Sequence, residues 1–193
     1  TMSLKLTGSL IGPSAIKYVA QSKHRQTAVD YLIHGAKLVH EENIDRFPRD
    51  TFIAELEEIM PKWSVETLAQ GAYVREFHLW EKEAKEYFSN QLQHNGIPCI
   101  EIKSMLQKKR KESVVDVVKR LLMAFDIYRL GSELSAIDTM RLQVNRAKHD
   151  PGVLLDDFVS IEQFWDKHAV VKRFWSKLLE EENYCGTTSS EFW

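Results

Sequence analysis

Along most of this chain apolar residues recur every three or four positions, the spacing that puts them on one side of a helix. The longest run predicts a helix over 65–94, in which Phe77, Trp80, Ala84, Tyr87, Phe88 and Leu92 keep the rhythm. Ser64 is placed to cap its start, and Asn95-Gly96 with Pro98 to end it. Upstream, the pattern predicts helices over about 13–21 and 25–42, and a short one capped by Asp50 and closed by Pro61. Downstream it predicts a helix over 100–111. Next comes an apolar helix opened by a Ser113–Asp116 capping box and stopped at Gly131, and its apolar residues on most sides mark it as central. A helix over 132–149 follows, joined so tightly that the two should pack antiparallel, and it stops at Asp150-Pro151-Gly152. The last helix, 161–182, buries Phe164, Trp165, His168, Val171, Phe174 and Trp175. No segment reads as a strand, and eighteen unbroken residues from Ser113 argue against one there. The expected fold is therefore all-α: a helical bundle with a central long antiparallel helix pair. The expected organisation is one domain, with N-terminal helices over 1–62, a core bundle over 63–183 and a tail over 184–193.

Composition narrows the functional classes. The chain has 193 residues, 44% of them apolar, enough for a substantial core. A formal charge of −2 gives no global pull toward nucleic acid or anionic membrane, so any such binding must be local. No stretch is long and apolar enough to span a bilayer. Two distant cysteines, Cys99 and Cys185, without a CxxC pair, suit reduced thiols and an expected cytoplasmic location.

The predicted helix over 132–149 carries the most concentrated polar chemistry. Arg141, Asn145 and His149 recur every four residues and form one stripe, with Asp138 a turn before them. Ile137, Met140, Val144 and Ala147 form an adjacent apolar stripe suited to a core. A second concentration is the basic run Lys108, Lys109, Arg110 and Lys111, with Lys103, Lys119 and Arg120 nearby. Such a run can follow a phosphate backbone, although most are solvated loops. The aromatic positions along the helices can stack bases, but at helical spacing they read first as core. Glu81, Glu83 and Glu86, interleaved with Lys82 and Lys85, read as a solvated helix face. His34 and His40 are six apart, poorly spaced for two ligands on one helix.

The segment Val144-Asn145-Arg146-Ala147-Lys148-His149-Asp150, late in a bundle helix, resembles the HEPN superfamily of small all-α domains found in prokaryotic toxin and defence systems. Their motif is an Arg, then four to six residues, then a His; an Arg would stand at the position of Val144. The resemblance implies a homodimer whose composite site binds RNA and cleaves it as a metal-independent endoribonuclease, without a cofactor. It also implies a protein partner such as an antitoxin. His149 would then be the general base and Asn145 an orienting group. Arg146, one turn from the imidazole, or Arg141, two turns away, would supply the cation on the phosphate. The alternative is a non-catalytic dimeric interaction or nucleic-acid-binding module, in which His149 simply closes a helix C-terminus beside Asp150. A third reading, an HD-type metal phosphohydrolase, rests on His149-Asp150 and lacks a well-spaced upstream His. No Glu-x-x-His repeat, nucleophile motif or Gly-rich phosphate loop is present.

Overall fold

A computed structural model describes residues 4–7, 14–44, 51–149 and 161–187. Among them are six α-helices and no strand: α1 Ile16–Ile44, α2 Thr51–His94, α3 Cys99–Leu106, α4 Val114–Ala124, α5 Gly131–His149 and α6 Ile161–Thr187. The all-α bundle is borne out. None of the described helices is long and apolar enough to cross a membrane.

Several boundaries differ from the expected ones. The two helices expected over 13–42 are one, α1; nothing in Ser22-Lys23-His24 breaks a helix, and Arg25 ties this turn to α2. Pro61 does not close a short helix, and Ser64 is not a cap; both lie inside α2, which runs for 44 residues. A proline costs a helix interior about 3 kcal/mol, but propagation on either side is cooperative and can absorb one missing bond. At the far end Gly96, at φ 76°, lets Ile97 N–H return to Leu92 O (3.1 Å) and Gly96 N–H to Gln93 O (3.0 Å), so α2 stops where Asn95-Gly96 predicts.

The expected 100–111 helix ends at Leu106, because Gln107 turns extended. The Ser113–Asp116 capping box is formed in both directions, and it opens α4. That helix stops at Ala124, short of Gly131. Asp126 takes a left-handed φ of 58°, and Ile127 N–H bonds Leu122 O at 2.9 Å, a C-terminal motif usually signalled by glycine. Gly131 instead begins α5. The Asp150-Pro151-Gly152 stop, the irregular link to 160 and the tail beyond 187 lie outside the described residues.

Side-chain pairs fix the helix directions. Lys17 meets Glu86 and Arg25 meets Glu76, so α1 and α2 are antiparallel. Trp80 packs on Phe174 and Tyr87 on Trp175, so α2 and α6 are parallel. Lys177 reaches Glu133, and Arg129 approaches Glu181, which makes α5 antiparallel to α6 and hence to α2. The central position expected of the helix after Ser113 belongs to α2, against which all the other described helices pack. Its apolar face meets Tyr18, Phe174, Trp175 and Val171 in a continuous core, with the Tyr18 and Trp175 rings stacked at 4.5 Å. Phe77, Trp80, Tyr87 and Phe88 are all buried, so the aromatic rhythm is core.

Candidate nucleic-acid interface

The basic run lies on the connection between α3 and α4, and the chain there is tightly held. Arg120, nearly two turns into α4, donates to Met105 O (3.0 Å), Gln107 O (3.3 Å) and Glu112 Oε2 (3.3 Å). The same Glu112 oxygen accepts the Lys109 N–H at 2.8 Å. That backbone bond first, and Arg120 after it, hold the Glu112 carboxyl below the ordinary carboxylate range. Lys111 sits at φ 70°, a left-handed position that pinches the turn. Arg120, counted from sequence among the phosphate-seeking cations, is therefore spent inside the turn.

The other cations face outward. Lys103, Lys108, Lys109, Arg110, Lys111 and Lys119 are all exposed. Lys108 Nζ lies 3.9 Å from Glu81, while Lys109, Arg110 and Lys111 make no ion pair among the described residues.

The polar stripe of α5 is only partly assembled. Arg141 Nε donates to Asp138 Oδ1 at 2.6 Å, which ties the two upper members to each other. Arg141 and Lys119 also lie close enough to Asp116 to help lower its carboxyl, after the hydrogen bonds from Ser113. Asn145 is half-buried and Arg146 exposed. Helix α5 runs unbroken to His149, whose side chain lies outside the described residues, as do those of Ala147 and Lys148. Ile137, Met140 and Val144 are fully buried, as their stripe predicts. An Arg at the position of Val144 would carry its charge into the core.

The basic turn and the α5 terminus are not adjacent. Lys108 reaches Glu81, whereas Gln143 accepts a hydrogen bond from Tyr73, about 12 Å further along α2. His149 lies about 9 Å beyond Gln143 on the antiparallel α5. The two features are thus about 20 Å apart along the bundle axis.

A polar cluster that sequence reasoning missed lies between α1, α2 and α6. Arg25 Nε donates to Glu76 Oε2 at 3.0 Å and Arg25 Nη1 to Glu83 Oε1 at 2.6 Å, with longer bonds to each carboxylate's second oxygen. His168 Nδ1 lies 3.3 Å from Glu76 Oε1. Glu76, Glu83 and His168 are buried, so Glu83 does not belong to the solvated face assigned to it. Glu81 does, paired with Lys85 at 2.8 Å. Burial pushes the Glu76 carboxyl up, but His168 and Arg25 outweigh it, and the net shift is downward. For Glu83 burial prevails over Arg25, with Glu76 and Glu86 adding repulsion, and the net shift is upward. The one signal available in sequence was that Glu76 and Glu83 are seven apart, on one helical face. Among the described residues no group of His, Cys, Asp and Glu side chains is arranged to hold a metal ion.

In comparisons with known proteins, no protein-family model matches the chain, and no curated protein or solved structure matches it.

Proposed function

We propose that this bundle is a HEPN-like RNA-binding domain that grips the phosphate backbone through the turn Lys108–Lys111. The observation that carries this reading is the construction of the turn. Four consecutive cations are presented outward on a loop that Arg120 holds at Met105 O and Gln107 O and Glu112 holds at the Lys109 N–H. A held turn loses little conformational entropy on binding, unlike a solvated tail. A homodimer belongs to the same proposal, through the family resemblance alone.

A second reading, metal-independent endoribonuclease activity, is favoured by the unbroken course of α5 to His149. That course brings Asn145, Arg146 and His149 within about one turn at a helix end. In this reading the 2′-hydroxyl proton passes to His149 and the 2′-oxygen bonds to phosphorus. The 5′-oxygen leaves with a proton from water, the hydroxide so formed takes the proton from His149, and the product ends in a 2′,3′-cyclic phosphate. Arg146, one turn from His149 where Arg141 is two turns away, is the cation placed for the developing charge.

Titrating single-stranded RNA against salt tests the binding proposal. Changing Lys108, Lys109, Arg110 and Lys111 together to Gln should lower the log–log salt slope by about 3, at roughly 0.7 per phosphate contact. An unchanged slope refutes it. Cleavage assayed in EDTA tests the second reading: His149→Ala should abolish turnover and leave affinity within about twofold. Undiminished cleavage by that variant removes His149 from the mechanism.

A further inference from the structure

Beside the basic turn, α4 and the first half of α5 enclose a cleft of about 240 Å³, closed at one end by residues 127–130. Its floor is apolar and buried, built from Leu122, Ile127, Leu130 and Leu134. Its rim carries Asp116, Lys119, Ser135 and Asp138, and two exposed apolar side chains, Met123 and Tyr128, stand over it. The geometry points to an unpaired base of single-stranded RNA as the occupant of this cleft, a reading that rests on the RNA-binding proposal above.

Three features favour a base over an apolar side chain from a protein. The volume is below the roughly 300–1,000 Å³ of pockets that enclose a drug-sized ligand, so one ring system fills it and an amphipathic helix does not. The rim bears charges of both signs, suited to a polar-edged ring. Ser113 engages Asp116 at Oδ2 and Arg141 engages Asp138 at Oδ1. The second oxygen of each can accept from exocyclic amino groups, which adenine, cytosine and guanine carry and uracil lacks. The cleft is also continuous with the cationic turn. Asp116 belongs both to the rim and to the capping box that closes the turn, and Lys119 stands on the rim beside it. A strand whose phosphates lie on the turn therefore reaches the near rim of the cleft within a nucleotide or two. It meets the exposed Tyr128 ring as a stacking surface a few nucleotides later, past the far end of α4 and at least about 12 Å further on.

The test uses the full chain and labelled single strands of A, C and U about eight nucleotides long, within the usual range of site sizes, with a duplex of the same length. Tyr128→Ala and Ser135→Trp, both at exposed positions, respectively remove the stacking ring and fill the cleft. Each should weaken A and C single strands about tenfold, the size of one lost base–aromatic stack, without changing the salt slope. Wild type should prefer single strands to duplex, with U weakest. Unchanged affinity in both variants, while the four-Gln turn variant binds more weakly, overturns the base cleft and leaves RNA binding standing. Loss of self-association by Ser135→Trp with RNA affinity intact also overturns it, assigning the cleft to a protein contact. No RNA bound by wild type at low salt overturns both readings. If Ser135→Trp fails to fold, Tyr128→Ala alone decides.

Discussion

At Arg25 two carboxylates from one face of α2 converge on a single guanidinium inside the bundle, and His168 reaches one of them from α6. Removing the cation leaves Glu76 and Glu83 buried without it, so Arg25→Met should cost roughly 3–5 kcal/mol, the scale of a broken buried pair. Urea unfolding measures this; a loss below 1 kcal/mol would mean that the carboxylates find water instead. The two acids respond oppositely to pH. The lowered Glu76 carboxyl contributes stability at neutral pH that is lost as pH falls through its folded value. The raised Glu83 carboxyl contributes stability at acid pH that is lost as pH rises through its folded value. In the native protein they oppose each other around the ordinary value of 4.5. Glu83→Gln removes the opposing member, so the variant should lose stability more steeply than wild type on acidification from about pH 6 to about pH 3. Parallel acid limbs for the two proteins would refute the assignment of Glu83 as the raised group.

Elements were legible wherever a local rule chose them. The Ser113–Asp116 box and the Asn95-Gly96 stop are short-range chemistry, and both form as their residues predict. The apolar stripe Ile137, Met140, Val144 follows from period alone. What failed locally was punctuation: Pro61 does not interrupt α2, and α4 stops at Ala124, with Asp126 just beyond it doing a glycine's work. What failed globally was pairing. Arg25 lies 51 and 58 residues from its partners, and no periodicity reports which carboxylate an interior arginine will find. The candidate interface was legible as a charge run, but not its tightness, which depends on Arg120 turning inward. Lys111 tests how far shape and charge separate there. A non-glycine residue in the left-handed region is strained by about 1–2 kcal/mol, and glycine gives back part of that as unfolded-state entropy. Lys111→Gly should therefore raise stability by about 0.5 kcal/mol while lowering the RNA salt slope by about 0.7. A destabilised variant would mean that the lysine stem packs on the turn.

Across the whole molecule, direction matters more than proximity. Because α5 runs antiparallel to α2, every residue after Gln143 carries the chain away from the level of Glu81 and the basic turn. One protomer therefore offers two features at different levels: a cationic turn with its adjoining cleft, and a helix end carrying Asn145, Arg146 and His149, about 20 Å along the bundle axis from Lys108. The Asp138–Arg141 pair lies between these levels, with its charges mutually satisfied. An RNA held at the turn reaches His149 only if it runs along α5. At about 3.4 Å per nucleotide along a strand, that distance takes about six nucleotides. Binding and cleavage should then depend differently on length. Oligonucleotides of about four nucleotides should still bind in a manner sensitive to Lys108–Lys111, yet escape cleavage, whereas those of about eight or more should be cut. Measuring affinity and EDTA-resistant cleavage on one length series separates the two. Cleavage of the shortest strands at the full rate would require the turn and His149 to meet in one cleft. A single protomer does not bring them together, so that result would make a second protomer the source of the cations at the cutting site.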